Sequence, residues 1–125
     1  MQKNNSYNMK KVFILGGYQT DFAINYKRAG KDLYDLLQDS VIGAFEQTDI
    51  APKEVESAHI GNFVGELFCG QGQLGGMFVS IHPDLAGIPT SRHEAACASG
   101  SMAAFNAMTE IEAGCYDLVL SLIHI

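Results

Sequence analysis

The strongest constraint on this chain is an alternation of two periods. Short β-rich apolar runs, closed by glycine or proline, are separated by stretches whose apolar residues recur every three or four positions. Lys11–Tyr18 reads Lys-Val-Phe-Ile-Leu-Gly-Gly-Tyr, a run suited to a strand buried on both faces. Leu33, Leu36, Leu37, Val41, Ala44 and Phe45 then form one stripe of a helix, with Asp32 or Asp35 at its positive end and Pro52 in the turn beyond it. Ala58–Val64 reads as a second strand. Leu74, Phe78 and Ile81 predict a short helix after a glycine-rich stretch, and Pro83, Gly87 and Pro89 mark a turn. Thr90–Ala96 is expected as a third strand, Cys97–Ala113 as a helix with the stripe Met102, Phe105, Met108 and Ile111, and Asp117–Leu122 as a fourth strand. Gly114 is a natural stop for that helix. Strand–helix alternation of this kind predicts a layered α/β fold with helices crossing between strands of one sheet.

Composition narrows the function classes. A chain of 125 residues is at most one modest domain, and 47% hydrophobic with 18% charged residues is a globular mixture. The net charge is −6, and no basic block exceeds the pairs Lys10-Lys11 and Lys27-Arg28, so a nucleic-acid groove is not expected. The apolar runs are too short to span a bilayer, and Met1–Asn8 lacks an apolar leader core, which makes the cytoplasm the expected location. Three cysteines, Cys69, Cys97 and Cys115, leave at least one unpaired, and no Cys-x-x-Cys spacing occurs.

Cys97 is the candidate nucleophile. At a strand-to-helix junction, the free amides and the helix dipole favour an anion, and such a setting can bring a thiol into the nucleophilic range. The same amides can stabilise an oxyanion. Ala98, Ser99, Gly100, Ser101, Ala103 and Ala104 crowd small side chains into the following helix, which predicts close packing between layers. Its glycine costs about 1 kcal/mol of helix propensity, so packing or function must retain it. Cys69 and Cys115 read as ordinary small side chains; Cys115 lies past a helix end, where the dipole opposes a thiolate.

Two other motifs compete. Gly70-Gln71-Gly72-Gln73-Leu74-Gly75 matches the G-x-G-x-x-G string of dinucleotide-binding loops, with Glu94 roughly 20 residues on, but the preceding strand is not adjacent and Pro83 cuts the helix short. His93-Glu94-Ala95-Ala96-Cys97 has the spacing of a helical zinc pair, although strand is expected there and further ligands are not evident. His59 and His124 read as structural or surface groups. No metal site is assigned.

The stretch Glu94-Ala95-Ala96-Cys97-Ala98-Ser99-Gly100-Ser101-Met102-Ala103, followed by Glu112-Ala113-Gly114-Cys115-Tyr116-Asp117-Leu118-Val119-Leu120, resembles the nucleophile segment of thiolases. In that family Cys-Ala-Ser-Gly or Cys-Gly-Ser-Gly opens an alanine-rich helix that ends in Ala-Gly before a strand beginning with Asp. Val12–Phe22 looks like the family's opening strand and Thr-x-Phe loop, and His82–Pro89 like the turn before the nucleophile strand. The resemblance covers roughly Lys11–Leu120. It implies a layered αβαβα fold, of which this chain holds the first part of the amino-terminal half. It also implies acyl transfer through a thioester on Cys97, either thiolysis of β-ketoacyl-CoA or Claisen condensation of two acyl-CoA molecules. Coenzyme A and acyl-CoA are then substrates, no cofactor is covalently bound, and the full-length protein is a dimer or tetramer without membrane or nucleic-acid partners. Glu94 replaces the Asn of many thiolases, and Gln19-Thr20-Asp21-Phe22 replaces Arg-Thr-Pro-Phe, a pattern closer to the sterol-carrier-protein-type branch. The family's activating His, second Cys and most CoA-binding residues belong to later segments, so the 125-residue chain is expected to be inactive alone. β-Ketoacyl synthases, hydroxymethylglutaryl-CoA synthases and non-catalytic thiolase-like subunits are the related alternatives; Cys97-Ala98-Ser99-Gly100 favours thiolase.

Residues 1–10 are expected to be a polar extension and 11–120 a partial amino-terminal domain. Residues 121–125 are expected to be a non-native tail, because Leu120–Ile125 can be encoded by CTGTCTCTTATACACATC, which resembles a sequencing-adapter end, and the resemblance calls for a glycine-containing turn there.

Overall fold

A computed structural model describes residues 10–124. Its centre is a three-stranded parallel sheet of order β2-β1-β3, built from β1 (Ser57–Gly61), β2 (Thr90–His93) and β3 (Val119–Ile123). Four α-helices accompany it: α1 (Leu33–Thr48), α2 (Gly65–Cys69), α3 (Leu74–Ile81) and α4 (Ser99–Glu112). The layered α/β architecture read from the alternation of periods is therefore present, with crossovers β1-α2-α3-β2 and β2-α4-β3.

The central strand shows how the layers form. All five residues of β1 are buried, as a parallel strand covered on both faces requires. Side chains alternate across the sheet. Ala58 and Ile60 join one core with Leu37, Val41 and Phe45 of α1 and Leu74, Phe78 and Ile81 of α3. His59 and Gly61 face α4: His59 meets Glu110, and Gly61 meets Ser99 and Gly100.

Local chemistry explains the helix ends. Asp32 caps α1 by accepting from the amides of Tyr34 and Asp35, while the Asp35 carboxylate accepts from the Asp32 amide. Gly114, at φ 75, follows the end of α4 in the left-handed conformation. Helix α4 turns a different face inward from the one its large apolar residues mark. Ser99, Ala103 and Ala107 are buried, whereas Met102, Phe105 and Met108 are exposed. Only small side chains allow the helix to lie this close to β1 and β3; a Cβ on Gly100 would overlap Ile123.

The expected opening strand is not formed. Lys11–Tyr18 has no ladder partner, and Phe13, Ile14 and Leu15 are 72%, 95% and 65% exposed. Both edges of β1 are occupied by β2 and β3, and the segment instead touches α1, where Gly16 meets Thr48 and the Tyr18 ring lies over Gly43. An apolar run states a demand for burial, which does not by itself add a strand to a sheet: the outer edges of β2 and β3 carry no ladder partner among the described residues, and the segment lies on α1. Element boundaries also shift, the strand expected over Asp117–Leu122 forming over Val119–Ile123. The second strand is Ser57–Gly61, the third ends at His93, and the last helix begins at Ser99, with residues Ala96–Ala98 forming a 3₁₀ turn before it. Residues 121–123 pair with His59–Gly61 as part of β3. The polar extension expected over residues 1–10 lies, Lys10 excepted, outside the described residues.

Candidate active site at the mouth of helix 4

Cys97 sits in the 3₁₀ turn that joins the C-terminal end of β2 to the N-terminal end of α4, and it is exposed. The junction expected from sequence is thus formed, although the sulfur precedes the α-helix proper by two residues. The C-terminal edge of a parallel sheet, where helices begin, is where open α/β folds place their ligands.

The turn is held by specific contacts. The Glu94 carboxylate accepts from the Ala96 amide at 2.7 Å. The Ala98 amide donates to the Ala95 carbonyl at 2.9 Å, and the Ser99 amide donates to the Ala96 carbonyl. These bonds leave the Cys97 amide without a partner inside the turn. No side chain caps α4, because the N-cap residue is Ala98. Cys97 therefore stands beside the uncapped first turn of α4, a helix end whose amide pole can support a developing oxyanion.

A polar network that sequence reading missed joins β1, β2 and the last turn of α4. His59, 4% exposed, places Nδ1 2.8 Å from Ser91 Oγ and 2.8 Å from His93 Nε2, and its Nε2 lies 3.0 Å from Glu110 Oε2. Ser91 Oγ and His93 Nε2 are 2.9 Å apart. One assignment of protons closes the chain: His93 Nε2–H donates to Ser91 Oγ, Ser91 O–H to His59 Nδ1, and His59 Nε2–H to the Glu110 carboxylate. Register brings the partners together, since His59 pairs with Ser91 and Gly61 with His93 across the sheet. Burial pushes His93 below the ordinary histidine range, the His59 ring adds to that shift, and Glu110 opposes it. The available signal was the two-residue spacing of Ser91 and His93 beside a lone histidine in an apolar strand.

The competing motifs lose their context. Gly70 ends α2 in a left-handed conformation and Gly75 lies within α3 against the Ser91 backbone, so the glycine string links two helices and does not follow a strand. His93 ends β2 while Cys97 lies in a turn, so the two do not share a helix face, and the His93 ring is engaged with His59 and Ser91. Cys69 and Cys115 are exposed, at the end of α2 and just after α4. His124 receives Asn62 Nδ2 at 2.8 Å, and Asn62 Oδ1 in turn accepts from the Gly65 amide at 2.7 Å. Among the described residues, no helix is long and apolar enough to cross a membrane.

Known proteins bear on this geometry. The family model described as thiolase, N-terminal domain, matches residues 12–122. An acetyl-CoA acetyltransferase of Methanocaldococcus jannaschii is 34% identical over 112 residues, covering 90% of this chain and 28% of that protein. An acetyl-CoA acetyltransferase of Methanothermobacter thermautotrophicus is 27% identical over 113 residues, with the same coverage of 90% and 28%. Sterol carrier protein 2 of Rattus norvegicus is 30% identical over 118 residues, 94% of this chain and 21% of that protein. The chain thus spans a little over a quarter of the length of these acetyltransferases. With the thiolase N-terminal domain matched over almost all the residues that form the sheet, its helices and the Cys97 turn, the chain belongs to the thiolase family.

Proposed function

We propose that the full-length protein carrying this chain is a thiolase-type acyltransferase and that Cys97 is its acyl carrier. The observation that carries this reading is the position of Cys97: an exposed residue in the turn that leads into α4, within a segment matched by the thiolase N-terminal domain. In the direction of thiolysis, the Cys97 thiolate attacks the β-carbonyl carbon of a β-ketoacyl-CoA. The bond between the α and β carbons breaks, and the departing enolate takes a proton to leave as acetyl-CoA. Free CoA, as thiolate, then attacks the Cys97 thioester and releases acyl-CoA and the Cys97 thiolate. Condensation is the reverse. Each addition step places negative charge on a carbonyl oxygen, and amide donors at the α4 mouth suit that charge.

The proton donor and acceptor are expected from later segments, as the resemblance implies, so the 125-residue chain is expected to show no turnover. An unactivated nucleophile loses much of its rate. Similarity to two acetyl-CoA acetyltransferases supports acetyl-CoA as one substrate, and similarity to a sterol carrier protein supports a role in lipid metabolism. A homo-oligomer and a cytoplasmic location belong to the same proposal.

The test is incubation of the full-length protein with acetyl-CoA, followed by mass analysis of the Cys97 peptide. An acetyl adduct on Cys97, lost together with turnover in Cys97→Ala, is the expected result. Turnover that survives Cys97→Ala refutes the reading, and a folded protein with neither adduct nor turnover points to a non-catalytic subunit.

A further inference from the structure

The turn ahead of Cys97 contains a residue in an uncommon conformation. Ala96 has φ 48, the left-handed region that a Cβ disfavours. Such a conformation persists only where its surroundings over-determine it. Here two side chains hold it: the Glu94 carboxylate accepts from the Ala96 amide, and Ser99 bonds to the backbone on either side of that amide. Ser99 Oγ donates to the Ala96 carbonyl at 2.7 Å and accepts from the Ala95 amide at 3.0 Å. The hydroxyl thereby uses its proton and a lone pair on the two residues that precede Cys97. Ser99 is 2% exposed, and its carbonyl lies where a Cβ on Gly61 would stand, so the clamp is itself anchored to the central strand. A serine at a helix start usually accepts from amides further into the helix; this one bonds backward, to the turn.

We infer that Ser99 is a positioning residue: its hydroxyl locks the left-handed Ala96 and so sets the direction in which the Cys97 sulfur is presented. The inference rests on the reading of Cys97 as acyl carrier, and it assigns Ser99 no contact with substrate. Without the hydroxyl, Ala96 can relax toward negative φ, which turns the following residue away from the α4 mouth.

The test uses the full-length protein with Ser99→Ala, Ala96→Gly and the double variant. The readouts are single-turnover acetylation of Cys97, kcat and KM, the alkylation rate of Cys97 by iodoacetamide, and thermal melting. Ser99→Ala is expected to slow acetylation about 10- to 100-fold with KM unchanged within about twofold, the scale of a misplaced reacting group. Adding Ala96→Gly is expected to restore most of that loss, because glycine holds positive φ without a Cβ conflict. A Ser99→Ala rate within about twofold of the parent overturns the inference. So does a double variant that melts like the parent yet acetylates as slowly as Ser99→Ala. If Ser99→Ala does not fold, the double variant decides: a rate near that of Ala96→Gly supports the clamp, and a much lower rate in a folded protein refutes it. If Cys97 of the parent takes no acetyl group, the acyl-carrier reading fails by itself, and alkylation still separates the two ideas. An altered alkylation rate in Ser99→Ala, reversed by Ala96→Gly, keeps the clamp; an unaltered one removes it.

Discussion

Gly61→Ala probes the contact on which the site's geometry depends. Gly61 ends the central strand on the face covered by α4, and a Cβ there would stand 2.5 Å from the Gly100 nitrogen and closer still to the Ser99 carbonyl group. Ordinary contact begins near 3.4 Å. The obstructing atoms are backbone, so no rotamer change relieves the overlap, and the first turn of α4 must retreat by about 1 Å. Overpacking of this kind costs about 1–3 kcal/mol. The retreat also loosens the close seat of Ala103 and Ala107, both buried on the inner face of α4, which places the total near the upper end of that range. About 3 kcal/mol corresponds to a fall of roughly 6–12 °C in Tm for a cooperative unit of 150–250 residues. Ser99 moves with the helix, and a displacement of about 1 Å at the Cys97 turn is expected to slow acylation by roughly 100-fold. The assay pairs thermal melting of the full-length protein with single-turnover acetylation of Cys97. Gly17→Ala serves as the control, because a Cβ there meets nothing within 4 Å and its φ is not in the left-handed region. A Gly61→Ala protein that melts and acetylates like this control would refute the close approach of α4 to β1.

Two further outcomes are expected. His93 and His124 are both pushed below the ordinary histidine value of 6.5, His93 by burial and the His59 ring and His124 by burial. The folded state therefore binds fewer protons than the unfolded chain, so stability is complete above about pH 6.5 and declines as pH falls below it; Tm measured from pH 8 to pH 5 should show that slope, and His93→Gln should flatten it, whereas an unchanged slope in both His93→Gln and His124→Gln would count against the assignment. The 125-residue chain by itself exposes Phe13, Ile14, Leu15, Phe68 and Phe105, so it is expected to bind hydrophobic dye and to aggregate, and a sharp cooperative melt of a soluble monomer would contradict this.

Much of the site was legible because its determinants are local. The 3.6-residue stripe and the acidic cap of α1 depend on neighbours in sequence, and both the helix and its capping box are formed. The Cys97-Ala98-Ser99-Gly100 string could be read in the same way, as could the glycine stop after α4. The apolar stripe of α4 and its run of small residues are both visible in the sequence, but the stripe does not say which face meets the sheet. In the fold the distance to β1 and β3 selects Ser99, Ala103 and Ala107, and Met102, Phe105 and Met108 are left outside.

By itself the sequence determined the alternation of strand and helix, the parallel character of the sheet and the placement of a cysteine at a helix mouth, because periodicity, capping and turn chemistry act over a few residues. Only the tertiary fold settles which strands pair, that Lys11–Tyr18 lies against α1 and not in the sheet, that His59, Ser91, His93 and Glu110 share one part-buried network, and that Ser99 reaches back to a left-handed Ala96. Those outcomes depend on which groups from distant segments compete for the same edge or the same few ångströms of space, and no local pattern encodes that competition.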